Sequence, residues 1–97
     1  MTGIELIAAE RQRQIEEEKW GAEHDEMHDG GELALAAASY AIPDSERGIG
    51  IKLPQYWPWD YKWWKPSPDN RIKELTKAGA LIAAEIDRLA RKAPTAS

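Results

Sequence analysis

The sequence predicts an all-α fold, a three-helix domain with a long Trp/Pro-rich loop packed over the helices. Three observations carry that reading. Ile72, Leu75, Gly79, Ile82, Ile86 and Leu89 alternate spacings of three and four, the period of an α-helix. A run of Ala and Leu, ELALAAASYAI, lies between helix start and stop signals. Between these two segments, five of the six prolines fall in a stretch with no helical period. The expected organisation is one helical domain over 1–92, with helices at about 3–20, 31–42 and 68–92, the loop at 43–67 and a flexible tail at 93–97.

The first helix opens on Thr2 and Glu5, whose spacing is that of a capping box. Ile4, Ile7, Ala8 and Ile15 recur at helical intervals, and Gly21 is the expected stop. Residues 22–31, AEHDEMHDGG, read as a polar connector. Asp29 and Glu32 repeat the capping-box spacing before the second helix, which Pro43 ends. The small side chains of that helix let neighbours approach closely. Ser67, Pro68 and Asp69 give start signals for the third helix. Its apolar seam predicts a close helix contact at Gly79, with Lys73, Lys77, Arg88 and Arg91 on the other face.

Tyr56, Trp57, Trp59, Tyr61, Trp63 and Trp64 fall within nine positions, and the chain has no Phe. A loop so rich in Trp is ordered rather than disordered. The alternation of Trp57, Trp59, Tyr61 and Trp63 fits an extended run with one aromatic face. Such rings either cover an apolar core or stack on a flat ligand. Arg47, Lys52, Lys62, Lys65, Arg71 and Lys73 edge the loop with cations that suit phosphate. The candidate ligand-binding residues are therefore Arg11, Arg47, Trp57, Trp59, Tyr61, Trp64, Lys65 and Arg71. Gly48-Ile49-Gly50 reads as a turn.

In EHDEMHD, His24 and His28 are four apart among carboxylates, which would put both imidazoles on one face if the stretch were helical. His24, Asp25, His28 and Glu32 are the candidate metal ligands, for Mg²⁺ or Mn²⁺, beside the plainer reading of a solvated connector. The zincin pattern is not met, because Asp stands where the motif has Glu. Arg11 or Arg13 facing this connector, as an ion pair or a phosphate ligand, is a further reading beside plain exposure. No nucleophile elbow, P-loop or Ser/His/Asp set is present.

The net charge of −4 argues against bulk binding to a nucleic-acid backbone. No apolar run is long enough for a bilayer, there is no signal-peptide pattern and there is no Cys. These features fit a cytoplasmic protein. The seam and the Ala-rich helix together offer more apolar surface than so short a chain can hide, so a homo-oligomer is expected.

ERQRQIEEEKW, EHDEMHDGGELALAAASYA, WPWDYKWWKP and KAGALIAAEIDRL together resemble a group of small phage and prophage proteins, some labelled MazG-like or dATP/dGTP diphosphohydrolase. The resemblance spans nearly the whole chain. It singles out Arg11, Gln14, Trp20, His24, Asp25, His28, Glu32, Trp57, Trp59, Trp64, Lys65, Lys77 and Glu85. It implies an all-α fold, a nucleotide-like ligand and, for a phage-encoded chain, the host cytoplasm. MazG-type enzymes hold Mg²⁺ through ExxE and ExxD pairs. Here Glu23 and Glu26 have the first spacing, but Glu85 and Asp87 are spaced ExD and point to different faces. The expected function is therefore a phage-type protein that holds, and sequesters, a nucleotide or nucleotide-derived signal in a counter-defence role. The alternatives are a Mg²⁺-dependent nucleotide pyrophosphohydrolase using Glu23, Asp25, Glu26, Glu32 and Glu85, and a protein-interaction module.

Overall fold

A computed structural model describes residues 1–47 and 56–92. The chain is all-α, with four helices among the described residues: α1 (Gly3–Glu16), α2 (Ala22–Glu26), α3 (Glu32–Ala41) and α4 (Arg71–Lys92). Short 3₁₀ turns sit at Asp44–Glu46 and Tyr61–Trp63, and no strand occurs among the described residues. The Gly48-Ile49-Gly50 turn, Lys52 and the expected tail lie outside the described residues.

The capping box of α1 forms as its spacing predicts. Thr2 Oγ1 accepts from the Glu5 amide at 3.2 Å, and Glu5 Oε1 accepts from the Thr2 amide at 2.7 Å. The helix ends earlier than Gly21. Three consecutive Glu at 16–18 meet the negative end of the helix dipole, where carboxylates are unfavourable. Lys19 then turns the chain with φ +62°, a left-handed conformation uncommon outside glycine. The polar connector contains the short helix α2, so that segment is partly helical rather than a plain loop. Asp29 is not the cap of α3. Gly31, at φ +90°, takes that position, and Glu32 Oε1 accepts from the Gly30 amide at 2.6 Å. At the start of α4, Asn70 Oδ1 accepts from the Lys73 amide at 3.1 Å, as a capping side chain does.

α4 is the central element, packed by α3, α1 and α2. The core joins Leu33, Ala36, Ala37 and Tyr40 of α3 to Ala78, Leu81 and Ala84 of α4, closed at one end by Trp64. The methyl-sized side chains allow the two helices to approach, as the composition of α3 predicts. The face of α4 that is buried is not the expected one. Glu74, Ala78, Leu81, Ala84 and Arg88 point inward, while Ile72, Leu75, Ile82, Ile86 and Leu89 remain exposed. The expected close contact at Gly79 is present: a Cβ added there would lie 2.7 Å from Ile7 Cγ1 of α1.

Buried charge makes the difference. Glu74 is 1 % exposed, and its carboxylate takes three partners. Arg47 Nη1 donates to it at 2.9 Å, the Ser67 amide at 3.0 Å and Arg71 Nη1 at 3.0 Å. Arg47 also donates to the Ser39 and Tyr40 carbonyls, and Arg71 to those of Tyr40 and Ala41. Both guanidiniums thus satisfy the orphan carbonyls at the end of α3. Burial would push the Glu74 carboxyl up, but Arg47, the Ser67 amide and Arg71 outweigh it and hold it below its ordinary value. Arg88 is likewise buried against Glu85, at 2.7 Å.

Variants at the ion pair and at Gly79 check this packing. Glu74→Ala, which takes from the buried Arg47 its nearest carboxylate, is expected to cost about 3–5 kcal/mol in chemical denaturation. An apolar double variant, Arg47→Met with Glu74→Leu, should cost less than the single change. Gly79→Ala gains about 1 kcal/mol of helix propensity but meets Ile7, so the melting temperature should fall; adding Ile7→Ala should make the alanine at 79 favourable.

Candidate functional site

An aromatic-lined cavity of about 500 Å³ lies where the Trp segment meets α1, α2, α3 and α4. That volume is within the usual range for a small-molecule site, ~300–1,000 Å³. Trp20, His24, His28, Tyr40, Trp57, Trp59 and Trp63 give it flat walls, and Leu33 and Leu81 contribute apolar surface from the core.

The rings are held as a connected set. Trp20 stacks on His24 at 5.3 Å between centroids with planes 11° apart. His24 meets His28 edge-on at 4.8 Å, and His28 leans on Trp59 at 5.0 Å. Trp59 contacts Trp57 at 5.4 Å, and Trp57 in turn packs on Trp64 and Tyr40. Offset and edge-on contacts of this kind add to the area the rings bury. The segment does not run extended. A 3₁₀ turn at Tyr61–Trp63, started by Asp60 accepting from the Lys62 amide, sends Trp57, Trp59 and Trp64 inward and leaves Tyr61 and Trp63 exposed.

The polar groups are few. Gln14 is fully buried; its amide nitrogen donates to Glu10 Oε2 at 3.2 Å, which fixes the amide orientation. Among the described residues its oxygen has no hydrogen-bond partner, and neither has the buried indole nitrogen of Trp59. One acceptor and one donor are therefore unsatisfied on residues that line the cavity, and burying such groups is costly. Glu10 and Glu18 are both engaged by Arg13, at 2.9 and 3.1 Å. Lys77 lines the wall with its ammonium 4.7 Å over the Tyr40 ring and 3.4 Å from the Lys65 carbonyl. Burial pushes the Lys77 ammonium pKa down.

The sequence candidates divide. Trp57, Trp59 and Lys65 line the cavity, as do His24 and His28. Trp64 lies beneath it in the core, 9 % exposed, with the Arg47 guanidinium 5.1 Å from its ring. Arg47 and Arg71 are taken up by α3 and Glu74, and Tyr61 does not line the cavity. Arg11 holds α2 in place: it donates to Asp25 Oδ2 at 2.8 Å and to the Trp20 carbonyl at 3.1 Å. This is the ion pair that one reading of the connector expected.

The metal set does not assemble. Among the described residues no three His, Asp or Glu side chains are grouped so as to hold a metal ion. Asp25 is buried against Arg11, His24 and His28 face each other ring to ring, and Glu32 is 3.8 Å from His28 Nδ1. The His pair serves as part of the aromatic wall instead. Glu10, Tyr40 and Trp63, along with Gln14, Trp20 and Lys77, join the site without having been among the candidate ligand-binding residues. For Gln14 a signal existed: it stands seven positions after Ile7, a polar residue on the inward face of α1. No protein-family model, curated protein or solved structure matches the chain.

Burial, and then the neighbouring His24, lower the His28 pKa below 6.5. The folded chain therefore prefers neutral His28, and its contribution to stability is complete above pH 6.5 and lost as pH falls toward the depressed value. Urea midpoints should accordingly be lower at pH 5.5 than at pH 7.5, and His28→Gln should narrow the difference.

Proposed function

We propose that this chain is a non-catalytic binding protein that holds a flat, nucleotide-like heterocycle in the aromatic cavity. The observation that carries the reading is the ring-walled cavity, two of whose lining residues, Gln14 and Trp59, hold a buried acceptor and a buried donor with no partner among the described residues. The edge of a nucleobase presents donors and acceptors together, and its faces stack on indole at about 1–3 kcal/mol per base. Lys77 and Lys65 supply cations for an attached phosphate. Sequestration of a nucleotide-derived signal, in a phage counter-defence setting, is the role that the resemblance of the sequence adds. A homo-oligomer belongs to the same proposal and would use surface away from this cavity.

Hydrolysis has less support. Asp25 is paired with Arg11, Glu85 with Arg88, and Glu26 lies 3.3 Å from Lys92. Three of the five carboxylates that a Mg²⁺-dependent reaction would use are thus engaged by cations. Among the described residues no helix is long and apolar enough to cross a membrane.

The test is a thermal-shift screen of nucleoside phosphates, cyclic dinucleotides and ADP-ribose-type compounds, followed by mass analysis of the ligand. Stabilisation with the compound recovered intact is expected. Turnover would favour the enzyme, and no shift with any member would defeat the reading. Gln14→Leu separates site from scaffold. It removes an unsatisfied buried acceptor, worth about 1–3 kcal/mol, so the free protein should keep or raise its melting temperature. The same change should weaken ligand binding about tenfold or more, or ~1.4 kcal/mol.

A further inference from the structure

The aliphatic seam of α4 is used neither by the core nor by the cavity. Ile72, Leu75, Ile82, Ile86 and Leu89 are each between 48 and 66 % exposed, and none of them lines the aromatic cavity. α3 takes another face of the helix through Ala78, Leu81 and Ala84. α1 reaches the seam at Gly79, where Ile7 lies over the glycine. Ile4, one turn before Ile7, is 82 % exposed and extends the apolar surface. Large aliphatic side chains left exposed together in this way mark an interaction surface.

The spacing identifies the occupant. From Ile72 to Leu89 the intervals run three, four, three, four, three, and they read the same from either end. A two-fold axis requires a surface complementary to itself, and a palindromic seam satisfies this when two helices run antiparallel. In that register Ile72 stands opposite Leu89, Leu75 opposite Ile86, and Gly79, with Ile7 over it, opposite Ile82. None of the six seam positions carries a charge, so no like-charge contact opposes the pairing. We propose that a second copy of this chain covers the seam by antiparallel pairing of α4 with its symmetry mate. The two cavities then stay open on the outside of the dimer.

Sedimentation velocity on the full chain over a wide concentration range reads the mass directly. The expected species is a dimer of the 10.9 kDa chain. Ile82→Glu and Ile86→Glu, both at exposed positions, should each shift it to monomer while circular dichroism keeps the helical signal. Because the chain has no Cys, cross-linking reports the register even if a glutamate variant misfolds. Leu75→Cys mixed with Ile86→Cys should form a disulfide-linked dimer on oxidation, and neither variant should do so alone. A monomeric wild type overturns the proposal, whether the seam then binds neutral vesicles or nothing. So does a dimer that survives both glutamates, or cross-linking by each single variant. These outcomes do not depend on whether the cavity binds a nucleotide.

Discussion

The Glu74 carboxylate is the point on which the arrangement turns. It takes Arg47 from before the Trp segment, the Ser67 amide from after it, and Arg71 from the first turn of α4. One buried anion thereby fixes both ends of the aromatic segment and, through the two guanidiniums, the carboxyl end of α3. A buried charge pair is weak evidence for stability in itself, because desolvation offsets much of the attraction. Its effect here is positional. Trp64 is held under the Arg47 guanidinium, Trp57 packs on Trp64, and Trp59 on Trp57. The cavity wall is therefore built outward from an ion pair rather than from the helices alone.

Local features were legible in the sequence because their partners are near in the chain. The Thr2–Glu5 box needs only its own first turn, and the period of α4 is complete within one segment. The contact at Gly79 was also readable, since a glycine on an apolar seam costs helix propensity without an evident local return. The burial of the opposite face of α4 was not. Periodicity assigns large aliphatics to the interior, but Glu74 can be buried only because Arg47, 27 positions away, meets it there. A pairing at that separation leaves no local pattern.

The candidate site was legible in its materials and less so in its assignments. Trp57, Trp59 and Lys65 were recognised from composition, and His24 and His28 from their spacing. Spacing alone could not separate chelation from ring packing, because both need two imidazoles on one face of a turn. What decided it was Asp25, whose carboxylate is held by Arg11. The arginines divided by what else lay within reach: Arg47 and Arg71 found helix-end carbonyls, a role that requires knowing where α3 ends in space.

The contact between α3 and α4 rests on Ala36, Ala37, Ala78 and Ala84, each nearly without exposure. A methyl group is the largest side chain that such an approach admits, and a bulkier one would wedge the helices apart at about 1–3 kcal/mol. Tyr40 and Leu81 ride on these same two helices and also line the aromatic chamber. Widening that gap would thus alter the chamber's dimensions from behind. A roomier or narrower chamber is accordingly best engineered from the indole side, where side-chain size can change without disturbing the spacing of the scaffold.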